Sequence, residues 1–499
     1  MKSLPRYDRA CPGRKSLAFD ASRLKKASNR RVTEGQAGIP GRGSTLAGTM
    51  RIYLLAAVIG ALTGGLASAF HYCLQKAVVL HAVVASLFTG RGPTAVLAAA
   101  LVGAMMVTAA IVLVRRFAPE AAGSGIQEIE GAMQGRRAVR WRRVIGVKFF
   151  GGVLSMGAGL LLSREGPTIH MGGCVGRMIG ERTGADTHGM NTFLAAGAGA
   201  GLSAAFSAPV AGVIFVTEEM RRRFNYNFVS LHAVIAACII AKVVSDQVFG
   251  LGPSLPVRLQ GWLPAGPGPD EILIFVPLYL VLGILIGIGG AGFNRALLGC
   301  LRGADRLRWP VHLAAAATLG AFAGALTVVA PEFVGGGESL IKEVFAGAPE
   351  IGLLVSLLVV RAGMTFLSYA TGAPGGIFAP MLALGTLVGV IFGVFVETLF
   401  PHTEMHAGAF AIAAMGGLFA ATVRAPLTGI VLVAELTASF SLLMPMTLTC
   451  LSASITAQSL GSRPVYELLL ARTLEAAAGP GQDGRDGGTM VESDDAIKG

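Results

Sequence analysis

Two long segments of this chain contain no charged side chain. Pro93 to Val114 run for 22 positions and Ile272 to Asn294 for 23, and each can cross about 30 Å of hydrocarbon as a helix. Of the 499 residues, 53% are apolar and 14% are charged, a balance that is rare in a water-soluble globule of this length. The sequence therefore predicts an all-α polytopic membrane protein embedded in a lipid bilayer.

Glycines and polar residues interrupt many of the other apolar stretches. The chain contains 69 glycines, and small residues let membrane helices approach closely. Such helices are short, tilted or broken and are buried in protein, which is typical of a channel or transporter. The six cysteines show no paired spacing, so they indicate neither a disulfide framework nor a metal site, and we expect them to serve packing.

The positive charge of the chain is concentrated at its start. Residues 1–51 hold 12 of the Lys and Arg residues against three acidic residues, whereas the remainder is nearly balanced. We interpret residues 1–50 as a basic cytoplasmic tail without the apolar core of a signal peptide, and attraction to the membrane surface is the alternative. A nucleic-acid partner is not indicated, because the net charge of +12 arises mainly from this tail.

Basic clusters elsewhere predict the topology. They lie at residues 136–143, 221–223 and 302–308, while residues 245–271 contain Arg258 as their only basic residue. The positive-inside rule places the clusters and both termini in the cytoplasm. The lack of appended domains and sorting signals in the sequence predicts a cell inner (plasma) membrane. The predicted segments are a first membrane repeat (51–249), an external linker (250–271), a second membrane repeat (272–472) and a cytoplasmic C-terminal tail (473–499).

The two halves are related by an internal duplication. At an offset of 213, Lys148 aligns with Arg361, and Pro167 and four glycines of the first half align with identical residues. At an offset of 217, A-P-V-A-G-V-I-F-V-T-E from Ala208 matches A-P-L-T-G-I-V-L-V-A-E from Ala425. Such repeats are typical of membrane transporters whose substrate site lies between the halves, and sequence identity leaves open whether they are parallel or inverted.

Four segments place Gly, Pro and a polar residue where an apolar helix is expected to begin. They read G-S-G-I-Q from Gly123, S-R-E-G-P from Ser163, G-G-I-F-A-P from Gly375 and R-P-V-Y from Arg463. A helix start offers several unpaired N–H groups and about half a positive charge, which can replace part of the hydration of an anion without trapping it. Together the segments predict an anion path.

In this order the segments resemble the selectivity-filter motifs of the CLC family of chloride channels and transporters, G-S-G-I-P, G-R-E-G-P and G-x-F-x-P, followed by a late pore tyrosine. The likeness covers both halves and excludes only the two tails. It implies the CLC-type fold of two inverted repeats with broken, tilted helices. It also implies a homodimer with one pore per subunit and chloride and protons as substrates, with no cofactor and no metal.

The resemblance further implies roles for individual residues. The hydroxyls of Ser124 and Tyr466 would coordinate the central chloride, and the backbone amides of Ile377 and Phe378 would complete the site. Serine at position 124 is typical of chloride-preferring members. The remaining filter positions are Gly123, Gly125, Ile126, Gln127, Ser163, Arg164, Gly166, Pro167, Gly376, Ala379 and Pro380.

Two filter positions differ from the family pattern. Gln127 stands where Pro is usual and Ser163 where Gly is usual. Losing Pro frees φ and adds a backbone donor, while Ser restricts a backbone that Gly leaves free, so the angles at which the helices begin are expected to differ. Anion preference or rate is expected to respond, although neither position supplies the coordinating atoms.

Glu165 occupies the position in the first repeat that Phe378 occupies in the second, since each precedes a Pro by two positions. An ionised carboxylate in a low-dielectric segment is costly unless it is paired or itself occupies an anion site. We therefore predict that Glu165 competes with chloride for the same amides and leaves when protonated, as both external gate and proton carrier. A glutamate that only caps a helix start is the alternative.

The adjacent Glu218 and Glu219 are predicted to differ in role. Glu218 has a repeat counterpart in Glu435, whereas Glu219 aligns with Leu436, and a position shared by both repeats is more often architectural. By resemblance, Glu219 falls where proton-coupled CLC members carry their internal proton acceptor. We assign internal proton transfer to Glu219, and pairing with residues 221–223 is the alternative.

Three further residues are conspicuous. His170 is expected to be a packing residue with its hydrogen bonds satisfied. Lys148 and Arg361 either support the anion path or are half-buried structural cations, and the sequence favours neither.

The predicted function is secondary active exchange of chloride for protons. A passive chloride channel on the same fold is the alternative, and it requires the coupling through Glu165 and Glu219 to be lost. An intramembrane enzyme is not indicated, because the chain contains no H-E-x-x-H, G-x-S-x-G or nucleotide-binding loop. Residues 473–499 are too few for an appended regulatory domain.

Overall fold

The computed structural model describes residues 46–87, 92–220, 227–250, 252, 255, 269–347, 349–401 and 406–478. The chain separates into a unit of residues 1–50 and a unit of residues 51–499, and residues 46–50 are the only described part of the first. Most of the predicted N-terminal tail, linker and C-terminal tail lies outside the described residues.

The described residues of both halves are predominantly α-helical. The first half contains α1 (Leu46–Ser86), α2 (Pro93–Phe117), α3 (Ile126–Met133), α4 (Trp141–Gly157), α5 (Glu165–Thr183), α6 (Thr187–Phe206), α7 (Pro209–Glu219) and α8 (Phe228–Phe249). The second half contains α9 (Pro269–Asp305), α10 (Trp309–Val329), α11 (Glu338–Ala346), α12 (Ile351–Ala370), α13 (Phe378–Leu399), α14 (Ala407–Val423), α15 (Pro426–Thr437), α16 (Leu443–Ser459) and α17 (Val465–Ala478).

Eight of the helices in the described ranges are long and apolar enough to cross a membrane. The prediction of an all-α polytopic membrane protein is confirmed. The helix ends differ from the predicted segment boundaries, since α1 begins at Leu46, α9 begins at Pro269 and α17 continues to Ala478. Hydropathy locates an apolar stretch but not its first turn, so boundaries of this kind are the least certain part of a prediction.

The best-matching sequence segment has the same backbone course in both halves. Helices α6 and α14 end in Phe206 and Val423, and each is followed by a residue of positive φ, Ser207 at 53° and Arg424 at 68°. An Ala-Pro pair then begins the next helix with Pro at its first position, where the missing N–H has no intrahelical partner to lose.

Reciprocal caps between α7 and α15 show how the repeats are related. The carboxylate of Glu218, near the end of α7, accepts hydrogen bonds from the backbone of Leu427 (3.2 Å) and Thr428 (2.8 Å) at the start of α15. Glu435, near the end of α15, accepts in the same way from Val210 (3.2 Å) and Ala211 (2.8 Å) at the start of α7. Each helix ends where the other begins, so the two equivalent helices run antiparallel and the repeats are inverted.

The duplicated glycines lie at the same helix–helix crossing in each of the two halves. In the first half, α5 and α6 cross where a Cβ on Gly172 would collide with the carbonyl oxygen of Gly197. In the second half, α13 and α14 cross where a Cβ on Gly385 would lie 2.6 Å from the carbonyl oxygen of Ala414. Both crossings need backbone-to-backbone approach, which explains why the glycine recurs at an offset of 213.

We expect Gly197→Ala to destabilise the protein by about 1–3 kcal/mol, the usual cost of overpacking a close contact. A Cβ on Gly197 would collide with the backbone carbonyl of Gly172, which cannot move without shifting α5. The measurement is the thermal unfolding midpoint of the detergent-purified protein. Gly363→Ala on α12, where a Cβ meets no atom within 4 Å, is the matched control, and equal midpoints for the two variants would contradict the packing argument.

Candidate functional site

Backbone hydrogen bonds join the filter segments of the two repeats. Ser163 and Gly376 exchange a pair of bonds, with the N–H of Ser163 2.9 Å from its acceptor and the N–H of Gly376 2.7 Å from its own. The N–H of Gly375 donates to the carbonyl of Gly123 (3.0 Å), and the N–H of Gly123 donates to the carbonyl of Ala373 (3.2 Å). One site is therefore assembled from both halves of the chain.

Each filter segment leads directly into a helix, as predicted. Gly123, Ser124 and Gly125 precede α3, which begins with Ile126 and Gln127, and Ser163 and Arg164 precede α5, which begins with Glu165, Gly166 and Pro167. Gly376 and Ile377 precede α13, which begins with Phe378, Ala379 and Pro380, and Tyr466 lies in the first turn of α17. Four helix starts therefore contribute to one region.

Glycines allow the helix starts to meet. A Cβ on Gly166 would collide with the hydroxyl of Ser124 and lie 3.1 Å from the Cα of Gly376. A Cβ on Gly376 would in turn lie 2.9 Å from the hydroxyl of Ser163. The first turn of α5 is thus in van der Waals contact with the filter segments that contain Ser124 and Gly376, with no room for a side chain at Gly166.

Four hydrogen-bond donors at this junction have no acceptor in the described part of the chain. The hydroxyls of Ser124 and Tyr466 are fully buried and unpartnered. The backbone N–H groups of Ile377 and Phe378 donate to no described residue, as expected at the beginning of a helix. Burying a donor without a partner costs free energy, so each of these donors favours a bound acceptor.

The ring of Phe378 holds Tyr466 beside the site. The two rings stack with centroids 6.5 Å and planes 23° apart, and Phe206, Phe215 and Phe419 surround the other sides of Phe378. These apolar rings exclude water from the region next to the hydroxyls. An anion there would interact mainly with the fixed donors, in a low dielectric that strengthens each interaction.

Glu165 is the first residue of α5 and begins its helix just as Phe378 begins α13. Its side chain is fully buried, and neither carboxylate oxygen has a hydrogen-bond partner among the described residues. The Nε of Arg164 lies 3.9 Å from one of these oxygens. The carboxylate of Glu165 is therefore buried at a helix start beside one guanidinium, with neither oxygen held by a short hydrogen bond.

Cavities reach the junction from two sides. One of about 630 Å³ is lined by Ser163, Arg164 and Glu165, and one of about 650 Å³ is lined by Gly123 and Gln127 among others. Ser124 and Tyr466 line neither cavity and are fully buried. The unpartnered hydroxyls are therefore closed off from both cavities.

Glu218 and Glu219 have different environments. The carboxylate of Glu218 caps α15, as described above, which is the architectural role expected of a position that both repeats share. Glu219 is the last residue of α7 and borders a third cavity, of about 60 Å³, together with Glu130, Arg424 and Glu467. The alternative partners of Glu219, residues 221–223, lie outside the described residues.

Lys148 and Arg361 perform equivalent tasks in the two repeats. Each is almost completely buried, rather than half-buried as the sequence suggested. Lys148 donates to the carbonyls of Ala121 (3.0 Å) and Gly123 (2.7 Å), immediately before the first filter segment leads into α3. Arg361 donates to three carbonyls of residues 332–335, in the corresponding segment before α11. The two side chains thus fix the backbone at these segments.

His170 and Gln127 have unsatisfied polar atoms in the described structure. His170 is buried against Gly125, so its packing role agrees with the prediction, but its Nδ1 has no hydrogen-bond partner and the expectation of a satisfied histidine was wrong. The side-chain oxygen of Gln127 is likewise buried and unpartnered. The His170 Nδ1 lies next to Gly125, which precedes α3 and has a φ of 89°.

Three residues at the site were not found from the sequence. The hydroxyl of Tyr369 accepts a hydrogen bond from the backbone N–H of Ser124 (3.2 Å), and His71 and Glu338 contact Arg164. Each of the three lies 93 to 245 positions from the filter residue that it contacts, and none of the three belongs to a filter motif. Only the burial of a lone Tyr, His or Glu in an apolar stretch could have drawn attention to them.

Comparison with known proteins agrees with this architecture. The sequence model of the family described as voltage gated chloride channel matches residues 106–458. The chain belongs to this family, the CLC proteins. Because its relatives are named as channels and exchange transporters, it is a membrane transport protein and not an enzyme.

Relatives of known name and structure cover most of this CLC chain. The H(+)/Cl(-) exchange transporter ClcA of Salmonella paratyphi B is 44% identical over 439 residues, which are 85% of this chain and 89% of that protein. The crystal structure of a slow cyanobacterial Cl-/H+ antiporter is 36% identical with a TM-score of 0.81, over 86% of this chain and 99% of that one. A CLC-type fluoride/proton antiporter, at 20% identity and a TM-score of 0.67 over 83% of this chain and 97% of that one, shares the fold.

Proposed function

We propose that this CLC protein is a secondary active transporter that exchanges chloride for protons across a membrane. Two relatives named as proton-coupled chloride transporters, at 44% and 36% identity, support the proposal. The observation that carries it is the group of four unpartnered buried donors with an unpartnered buried carboxylate, Glu165, near them. Such a site offers an anion a dehydrated position and offers a proton a single acceptor beside it.

In this proposal chloride binds between Ser124, Tyr466 and the amides of Ile377 and Phe378. Hydroxyl and amide donors hold an anion without a full opposite charge, so chloride can leave again. Lys148 holds the carbonyl of Gly123 and thereby helps to position Ser124, the next residue. The remaining filter residues position these donors, as the contacts of Gly166 and Gly376 illustrate.

Glu165 serves in the proposal as the external gate and proton carrier. Ionised, it occupies the anion path between Ser124 and the cavity of about 630 Å³, which we assign to the external side. Protonated, it loses the charge that competes with chloride and can move aside. One side chain thereby couples the two ions, since chloride passage and proton uptake require the same movement.

Glu219 serves in the proposal as the internal proton acceptor. The cavity beside it and the cavity of about 650 Å³ beside Gly123 are both bordered by α3 and α17, which provides separate internal routes for protons and for chloride. A passive channel would not need a second titratable residue on a route of its own.

We also propose a homodimer in a cell inner membrane with both termini cytoplasmic. Each subunit would have its own pore, because both repeats of a single chain supply the anion donors and the site is complete without a partner. Light scattering of the detergent-purified protein measures the subunit number.

The proposed segments of the chain remain a first repeat, a linker between α8 and α9, and a second repeat, with a tail at each end.

The test of the exchange is reconstitution of the purified protein into liposomes with an outward chloride gradient. We expect chloride efflux to drive proton uptake, recorded as a rise in external pH in the absence of a protonophore. Protein-free liposomes control for leak. If chloride leaves while external pH stays constant, the exchange proposal is wrong and the passive channel replaces it.

A further inference from the structure

The guanidinium of Arg164 is divided among three partners at the cavity beside Glu165. Its NH1 contacts the imidazole of His71 on α1, with Nε2 at 2.8 Å. Its NH2 lies 3.1 Å from a carboxylate oxygen of Glu338, the first residue of α11. Its Nε has no hydrogen bond among the described residues and faces Glu165 from 3.9 Å. Two neighbours therefore hold the guanidinium at a distance just too long for a hydrogen bond to Glu165.

Of the two groups that hold the Arg164 guanidinium, only Glu338 is a carboxylate, so only Glu338 competes with Glu165 for its positive charge. Both are carboxylates that would form a charge-assisted hydrogen bond with the same guanidinium. Glu165 is fully buried, while the side chain of Glu338 is 32% exposed and can exchange its contact for water. The guanidinium can thus approach Glu165 whenever Glu338 releases it.

The same cluster lies between two cavities. His71, Arg164 and Glu338 line both the cavity of about 630 Å³ that contains Glu165 and a neighbouring cavity of about 320 Å³. Lys76 and Tyr72 of α1 line the first cavity, and Lys342 of α11 lines the second. On its inner side Glu165 is followed by the uncharged filter residues and Tyr466. Among the described residues, Arg164 is the cation within 4.0 Å of Glu165, and Glu338 is the acidic group that pairs with Arg164.

We infer that Glu338 is a positioning residue for the exchange, acting through Arg164 to set how readily Glu165 takes a proton from the external side. The inference rests on the proposed function, because it assumes that Glu165 carries the proton. With Glu338 ionised, Arg164 is held back and its attraction for ionised Glu165 is weakened. Without the charge of Glu338, Arg164 is free to pair with Glu165 and stabilise the ionised, blocking form.

The sign of the effect follows from this competition. Glu338→Gln removes one negative charge near Glu165 and releases one positive charge toward it, and both changes favour the ionised carboxylate. A higher external proton concentration is then needed to open the gate. We expect the external pH of half-maximal exchange to fall by about half a pH unit or more, the scale of shift that one nearby charge produces.

The experiment measures chloride-driven proton uptake by wild-type protein and variants in liposomes over a range of external pH. Glu338→Gln should have a lower pH midpoint, the same rate at saturating acid and the same ratio of chloride to protons. The unchanged rate at saturating acid separates positioning from misfolding, which would lower the rate at every pH. Glu343→Gln, which neutralises an exposed carboxylate on the same helix, is the matched control and should keep the wild-type midpoint.

The outcomes distinguish this inference from the proposed function. If wild-type protein moves chloride without protons, the proposed exchange is wrong. If wild-type protein exchanges both ions and Glu338→Gln has the wild-type or a higher pH midpoint, the role of Glu338 is wrong while the exchange stands. A midpoint shift of equal size in Glu343→Gln would also overturn it, because surface charge alone would then explain the effect.

Discussion

Glu165→Ala is expected to abolish proton transport while chloride continues to flow. In the proposed mechanism the alanine removes the buried carboxylate that both blocks the chloride path and accepts the proton. We expect proton uptake to fall by roughly two orders of magnitude or more, as when an essential proton-transfer group is deleted. Chloride flux should persist, because Ser124, Tyr466 and the helix amides are unchanged.

The measurement is parallel recording of chloride efflux and external pH from the same liposomes. Glu343→Ala provides the control, since it deletes an exposed glutamate that lines none of the cavities described above and should leave both traces as in the wild type. A Glu165→Ala protein that still drives proton uptake would show that the proton follows another group. A protein that passes neither ion would instead indicate that Glu165 is needed to assemble the filter.

The effect of Glu165 depends on an asymmetry between repeats that are otherwise built alike. The equivalent residue Phe378 presents only its backbone N–H to the site, and its ring packs against Tyr466. The first repeat presents a titratable carboxylate at the same point of the helix. Duplication therefore supplies the helix starts, and in the proposed mechanism one substitution between the halves supplies the proton chemistry.

The sequence predicted the components of the site more completely than their arrangement. Gly, Pro and polar residues at the edges of the apolar stretches identified the helix starts. The first N–H groups of a helix have no intrahelical partner, and these residue types suit such positions. The offsets of 213 and 217 identified the duplication. The antiparallel relation of α7 and α15 was not available from identity alone, since the same residues would match in parallel repeats. It required the reciprocal caps by Glu218 and Glu435.

Contacts between distant segments account for most of what the sequence did not reveal. Tyr369 reaches the backbone of Ser124 across 245 positions, and Glu338 reaches Arg164 across 174. No periodicity links such residues, because their proximity results from the packing of whole helices. Likewise, Lys148 and Arg361 could be recognised as a pair, but their acceptors are backbone carbonyls, which have no signature in the side-chain sequence.

The adjacent glutamates at the end of α7 permit a sharper test than either offers alone. Glu218 has a structural role, because its carboxylate caps the first turn of α15 and also accepts a hydrogen bond from the Thr428 hydroxyl at 2.9 Å. Glu219 has no repeat counterpart of its type and borders a small cavity. Neighbouring positions of identical chemistry are thus assigned to stability and to proton entry respectively.

We expect Glu219→Gln to lose proton coupling and Glu218→Gln to retain it. Glutamine is close in size to glutamate but cannot carry the proton, so Glu219→Gln should lower proton uptake about tenfold or more while chloride efflux continues. Glu218→Gln should instead lower the thermal unfolding midpoint, by the equivalent of about 0.5–2 kcal/mol for a weakened cap. The paired measurement is proton uptake, chloride efflux and thermal midpoint for both variants. If Glu219→Gln still takes up protons as the wild type does, another residue accepts the internal proton. If Glu218→Gln is the uncoupled variant, the proton role belongs to Glu218 and the structural role to Glu219.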